Sequence, residues 1–318
     1  MKQILAVSSV IFSLFFLNAC DDEKNDAILE SKVIRFQVEI PDYEPEAGTT
    51  RVDVNDLKFE HGDEIGLFVV KRDKNLEKTD NFADNAKMTY NGLTKTWVVD
   101  PPVYYSPFDK SPDVILDFYA YYPYIRDVDP TAMKIWGVSE NQESRINLGK
   151  SDFMTACKLN YVIGSDDPVK LQFTHHFSLV TLEYQVKDGQ PLPLVGIRSD
   201  RYTVKAFRLD DVATKSDVPL GYEKEEDDIL IGMSPLKISE SSGSTYAYQA
   251  IVVPLPLLDL DKKPLFYTLK NDELFSIDVK DTYIDFKGGK AYRFSVEQKI
   301  NFGSSNSSDF KRRKNIMI

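Results

Sequence analysis

Apolar and polar positions alternate along most of this chain with the period of β-strands. Ile34, Phe36, Val38 and Ile40 interleave with Arg35, Gln37 and Glu39, giving a half-buried strand one apolar and one polar face. Ile65 to Val70, interrupted only by Gly66, is an apolar run suited to a strand covered on both sides. Met88 to Tyr90 and Leu93 to Val98 flank Asn91-Gly92, a dipeptide that tolerates the positive φ angles of a type I′ turn, and so predict a hairpin. Val114 to Tyr122 is an aromatic-rich strand ended by Pro123. In the second half Tyr202 to Phe207, Tyr246 to Val253, Leu265 to Leu269 and Leu274 to Val279 read as strands, and Tyr292, Phe294 and Val296 alternate again. Leu171 and Phe173 share a face with Phe177 and Leu179, but the apolar set then moves to Val180, Leu182 and Tyr184, which predicts a bulge or a change of buried face. The mature chain has no pattern for an amphipathic helix of three turns. The expectation is an all-β chain built as a pair of sandwiches. The densest turn signal near mid-chain, Gly164 to Pro168, divides it into residues 33–165 and 166–302, followed by a polar and basic tail, 303–318.

The first twenty residues follow a different rule. Lys2 is followed by an apolar stretch from Ile4 to Leu17, then Asn18-Ala19-Cys20 and the acidic Asp21-Asp22-Glu23. The stretch is shorter than the roughly 17–25 residues that span a bilayer, and it closes with the spacing of a bacterial lipobox. Residues 1–19 therefore read as a signal peptide, Cys20 as the lipidated first residue of the mature chain, and 20–32 as a flexible tether. Several acyl chains on Cys20 would hold the protein on a lipid bilayer where one would bind only marginally.

Charge and cysteine content narrow the class further. Without the signal, 38 basic residues face 50 acidic ones, a net charge of −12, which argues against nucleic acid as a partner. Nearly 300 mature residues suffice for two domains of ordinary size. With Cys20 committed to lipid, Cys157 has no disulfide partner, so stability must come from packing.

Catalytic and metal readings fail on geometry or on missing partners. His175 and His176 are adjacent in a predicted strand, where successive side chains point to opposite faces, and His61 is the only other histidine. There is no G-x-S-x-G elbow and no G-x-x-x-x-G-K phosphate loop, and Cys157 has no activating neighbour in sequence. The acidic stretch Glu223 to Asp228 lacks the spacing of a calcium loop. The expectation is a protein that is not an enzyme, with no cofactor and no metal.

Five strings then resemble, in order, the motifs of the fimbrillin-like family. Phe59-Glu60-His61-Gly62-Asp63-Glu64-Ile65-Gly66-Leu67-Phe68 resembles its F-x-x-G-D-x-I-G-L-F signature, and Tyr90 with Asn91-Gly92 and Trp97 its next hairpin. Phe118-Tyr119-Ala120-Tyr121-Tyr122-Pro123-Tyr124 resembles its F-x-A-Y-Y-P-Y strand, and Ser151-Asp152-Phe153-Met154 its S-D-L/F-M element. Phe173, His175, Ser178 and Val180 match the opening of its second domain.

The resemblance implies two transthyretin-like β-sandwich domains and a structural or accessory subunit of a pilus. It also implies a lipoprotein of the outer membrane, surface-exposed, whose partners are other pilus subunits and an Arg-specific processing protease. Thr50-Arg51 matches the family's processing position, with Val52 as the new first residue. Ile34, Phe36, Val38 and Ile40 would then be the displaced strand, replaced by strand donation. Equally open at this point is a permanent first strand with Arg51 as an ordinary surface cation. The short apolar end Asn315 to Ile318, after a Gly-Ser linker and Lys311-Arg312-Arg313-Lys314, departs from the usual donor strand and leaves stalk, anchor and tip roles open. The alternative function is a non-polymerising glycan-binding surface lipoprotein, with Trp97, Tyr104, Tyr105, Tyr119, Tyr121, Tyr122, Tyr124 and Trp136 as stacking platforms.

Overall fold

A computed structural model describes residues 32–46, 57–105, 114–135, 137–164, 167–187, 189–215, 220–241, 243–254, 264–270, 273–277, 279 and 285–296. Their regular structure is almost entirely strand, with two helices of six residues, Arg145–Lys150 and Leu209–Thr214. The larger sheet is six-stranded, in the order Thr174–His175, Met154–Val162, Ile115–Tyr122, Glu64–Lys71, Ala83–Asn91, Thr96–Asp100. A second sheet runs Ser234–Ser241, Gly243–Val252, Ser178–Val186, Lys290–Ser295, Glu44–Pro45. The third is built on the long strand Leu194–Phe207, flanked by Tyr222–Gly232 and Phe266–Lys270, with Glu273–Ile277 beyond and Met133–Ile135 pairing onto it.

The apolar run Ile65 to Val70 is explained by its position in the six-stranded sheet. Ile65, Leu67 and Val69 face one core with Phe118, Ala120 and Met154, while Phe68 and Val70 face a second core with Tyr121, Phe153 and Phe177. Both faces are dry, so the period-2 pattern vanishes. The slip at Val180 has the same cause. Val169–Gln172, Thr174–His175 and Ser178–Val186 are three separate strands, and the last lies between two neighbours with Leu179, Val180 and Leu182 all buried.

Two expectations need correction. The hairpin pairs Asn91 with Thr96 across four residues, and its left-handed residue is Lys95, with φ of 56°. Asn91 acts through its side chain, whose Oδ1 accepts the amides of Leu93 at 3.0 Å and Thr94 at 3.3 Å. That local cap replaces the two-residue type I′ turn. The break after residue 165 does not separate the cores either. Val169, Leu171 and Phe173 belong to the first core with Ile34, while Phe177 and Leu179 belong to the second. Gly164 lies in a turn within the first sandwich, and no single break divides the cores, since Phe68, Val70, Tyr121 and Phe153 also belong to the second.

Gly66 and Tyr121 account for part of the motif pattern. They are register partners on adjacent strands, and a Cβ at Gly66 would lie 2.2 Å from the Tyr121 ring. The ring lies over the glycine, and its hydroxyl donates to Asn85 Oδ1 at 2.7 Å.

Candidate functional site

Residues 32–46 visit both cores. Lys32–Val33 pairs antiparallel with Tyr104–Tyr105, Phe36–Glu39 runs parallel to Val169–Gln172, and Glu44–Pro45 runs parallel to the start of Lys290–Ser295. Among the described residues Phe36–Glu39 is the only strand hydrogen-bonded to Val169–Gln172. Backbone bonds mark the whole path: Ile34 to the Val103 carbonyl at 2.9 Å, Val169 to that of Arg35 at 2.8 Å, Phe173 to that of Glu39 at 2.9 Å, and Glu44 to that of Gly289 at 3.0 Å. Ile34 is buried, and Phe36, Val38 and Ile40 pack half-buried against the same core, with Phe36 edge-on to Phe118 at 5.8 Å. The four apolar residues expected on one continuous strand pack against the same core, although the strand here spans only Phe36–Glu39, with Ile34 and Ile40 outside it.

Three residues past Ile40 the segment is clasped by a polar group. The Tyr43 hydroxyl donates to Asp152 Oδ1 at 2.7 Å, and its ring stacks on His175 at 3.8 Å between centroids. His175 Nδ1 lies 2.8 Å from Asp152 Oδ2, and its Nε2 lies 2.8 Å from the Pro41 carbonyl oxygen. Tyr43, Asp152 and His175 are all buried, at 2%, 2% and 5% exposure. The helix Arg145–Lys150, capped by Ser144 through the Asn147 amide, delivers Asp152, whose own amide closes the turn onto the Gly149 carbonyl. Thr174–His175 pairs with Met154–Val162 and sets the ring beside it.

Both ring nitrogens of His175 face acceptors, a carboxylate and a carbonyl, so both are satisfied only as N–H in the imidazolium. Burial alone would lower its pKa, but the Asp152 charge and hydrogen bond, the Pro41 carbonyl and the Asp42 charge outweigh it and raise the pKa. Burial, then Asp152, raises that of Tyr43 well above the ordinary phenol, so it remains a donor. His176 points the other way. Its Nε2 meets Thr155 Oγ1 at 2.7 Å, its ring lies against Phe153, and burial first, then the charge of His175, lowers its pKa to about 4. The two adjacent histidines thus take separate partners, and their pKa values shift in opposite directions.

A pH dependence follows. A group with a folded pKa above its unfolded value near 6.5 contributes stability that is present below that value and lost as pH rises through the folded pKa. In the pH range from about 6.5 up to the raised pKa of His175, His176 is already neutral, so His175 governs the change. Amide exchange at Phe173 and Glu44, corrected for intrinsic base catalysis, should accelerate across that range. In Asp152→Asn, whose amide can pair with a neutral His175, it should stay flat.

Beyond the clasp, Lys290 pairs with Glu44, and Lys287 Nζ lies 3.4 Å from Glu46 Oε1. These exposed pairs add little stability but match the segment to the sheet edge it meets.

The structure brings together Ile34, Phe36, Val38 and Ile40. Cys20, Arg51 and Val52 lie outside the described residues, as do Trp136, the Gly-Ser linker and the C-terminal tail. Tyr43 and Asp152 were missed as functional residues, and His175 was weighed only as a metal ligand. The available signal was the pairing of S-D-F-M with F-x-H, two polar residues set among apolar ones in separate motifs. Of the aromatics considered for stacking a glycan, Tyr105, Tyr121 and Tyr122 are core residues. Trp97 packs edge-on to Phe59 at 4.8 Å, in a cluster with Tyr90, Tyr122 and Phe173. No helix among the described residues is long and apolar enough to cross a membrane.

A family model described as fimbrillin-like matches residues 50–308. A protein of Bacteroides ovatus provisionally named a fimbrium tip subunit is 27% identical over 201 residues, covering 56% of this chain. The match spans only 35% of that relative's own length. Two crystal structures provisionally described as cell adhesion proteins share the fold. The one from Bacteroides ovatus has a TM-score of 0.55 at 14% identity, covering 84% of this chain and 92% of that one. The one from Bacteroides uniformis has a TM-score of 0.50 at 18% identity, covering 84% and 93%.

Proposed function

The chain belongs to the fimbrillin-like family, and on that premise we propose that it is a non-enzymatic structural or accessory subunit of a pilus, contributing to adhesion and assembled by strand exchange. The observation that carries this reading is the seat of residues 32–46. One segment supplies four apolar side chains to the first core, the only strand neighbour of Val169–Gln172 among the described residues, and the edge of the Lys290–Ser295 sheet. Arg51 stands five residues beyond Glu46, so one cut after it frees the whole segment. Burying an aliphatic or aromatic side chain fully contributes about 1.5–3 kcal/mol, and only Ile34 is fully buried, so losing the four costs on the order of 5 kcal/mol. That is comparable to the whole stability of many domains, and an incoming strand would restore it.

The test compares wild type with Arg51→Ala after exposure to an Arg-specific protease, with purified partner subunits present. Wild type should be cut after Arg51 and enter larger species that persist on a denaturing gel run without boiling, while Arg51→Ala should stay a monomer. Wild type that is cut and remains monomeric would remove strand exchange from this protein.

The anchor belongs to the same proposal. Cys20 is read as the acylated first residue that holds the subunit on the outer membrane until assembly. Cys20→Ala should move the protein to the soluble fraction with residues 1–19 still attached. Mass spectrometry showing normal processing and membrane retention of that variant would exclude it.

A further inference from the structure

The site that residues 32–46 occupy has two chemically different halves, and only the first is generic. Any strand with apolar residues at alternate positions could fill the groove of Ile34, Phe36, Val38 and Ile40. The second half is a buried carboxylate and imidazolium, with the Asp152 Oδ1 lone pair and the His175 Nε2–H both aimed at the segment. When the segment leaves, these two groups lose their partners together. We propose that the strand which replaces residues 32–46, supplied by another pilus subunit, must carry a tyrosine three residues after its last groove residue. It must also run parallel to Val169–Gln172. The requirement rests on the strand-exchange reading and specifies which strands can take part.

Each element of the requirement comes from one contact. The His175 N–H needs only a main-chain carbonyl, here that of Pro41, which any residue supplies. Asp152 Oδ1 needs a donor on a flat side chain, because the space over the His175 ring is filled by a stacked ring at 3.8 Å. Phenylalanine would fill that space and leave a buried carboxylate oxygen unpaired. Serine or threonine would lack the reach from the strand and the stacking surface. Direction is set twice, since Phe36–Glu39 and Glu44–Pro45 both pair parallel to their neighbours and place the tyrosine between them. The clasp therefore discriminates strands by a hydrogen bond that an apolar groove cannot provide, the stronger form of selectivity where a buried polar partner is left unsatisfied by the wrong ligand.

The experiment uses the full mature chain with a foreign protease site replacing residues 48–51, so that its outcome does not depend on Arg51 being a natural cleavage site. After cutting, fluorescent peptides of residues 32–46 are offered in wild-type form and as Tyr43→Phe, Tyr43→Ala and Val38→Asp, and binding is followed by anisotropy. The wild-type peptide should enter, Val38→Asp should not, and Tyr43→Phe should bind at least about tenfold more weakly, as expected for a hydrogen bond to a charged acceptor. On an Asp152→Asn receiver the preference for tyrosine over phenylalanine should narrow, because the acceptor has lost its charge. Equal binding of the tyrosine and phenylalanine peptides overturns the tyrosine requirement and leaves strand exchange standing. Failure of every peptide to enter, or entry of Val38→Asp as readily as wild type, overturns strand exchange and this requirement with it.

Discussion

Asp152→Ala should lower the stability of the uncut chain by about 3–5 kcal/mol, the cost typical of breaking a buried ion pair by removing one partner. The substitution takes the acceptor from Tyr43 and the counter-charge from His175 at the same time. His175 would then be driven neutral by its burial, retaining its bond to the Pro41 carbonyl, and the buried Tyr43 hydroxyl would lose its bond to Asp152. Because the same group fastens residues 32–46 across the junction of the two cores, the loss should be local as well as global. The segment should become the least protected strand in hydrogen exchange. Asp152→Asn makes the control. Its amide oxygen can accept from Tyr43 while its amide N–H donates to a neutral His175, so every polar atom keeps a partner and the cost should stay below about 1.5 kcal/mol. Chemical denaturation of wild type and both variants separates the cases. If Asp152→Ala unfolds at the same denaturant concentration as wild type, the clasp does not hold the segment.

The contrast between groove and clasp also explains what could be read along the chain. Strands are legible because a half-buried strand writes its burial at every second residue, so Ile34 to Ile40 and Tyr292 to Val296 stand out without any tertiary knowledge. The clasp has no such period. Tyr43 lies 109 residues from Asp152, which lies 23 from His175, and each is a single polar residue whose role exists only after three distant elements meet. The family-like strings contained two of the three, but nothing local distinguishes a buried charged pair from a chance Asp and His.

The misplaced break has a related cause. Turn residues such as those from Gly164 to Pro168 report where the chain reverses, not which core the next strand joins. Val169–Gln172 reverses straight back to pair with residues 36–39, more than a hundred positions earlier. Met133–Ile135 likewise leaves the first half to pair with Leu194–Phe207. The two sandwiches are interlocked by these exchanges, so no single cut in sequence divides them.

Gly66→Ala should produce the other large loss, from a single added methyl group. Its Cβ would fall 2.2 Å from the Tyr121 ring, inside the closest distance side-chain carbons adopt, so either the ring or the strand must move. Neither moves freely. Tyr121 is fully buried, stacks near Phe68 at 6.5 Å, and is held through its hydroxyl by Asn85 Oδ1 and by the Ile125 amide and carbonyl. Glu64–Lys71 is hydrogen-bonded on both sides within the six-stranded sheet. Overpacking of this kind costs about 1–3 kcal/mol, and with a ring anchored at both ends the upper part of that range is expected. The glycine's own weak strand propensity works in the opposite direction by about 0.5–1 kcal/mol and is outweighed. Tyr121→Leu makes the mechanism testable, because it loses the hydroxyl bonds but vacates the space over residue 66. In the double variant the added methyl should cost little beyond Tyr121→Leu alone, giving a coupling of at least about 1 kcal/mol between the two positions. Additive losses in thermal or chemical denaturation would show that the ring and the glycine are not matched to each other.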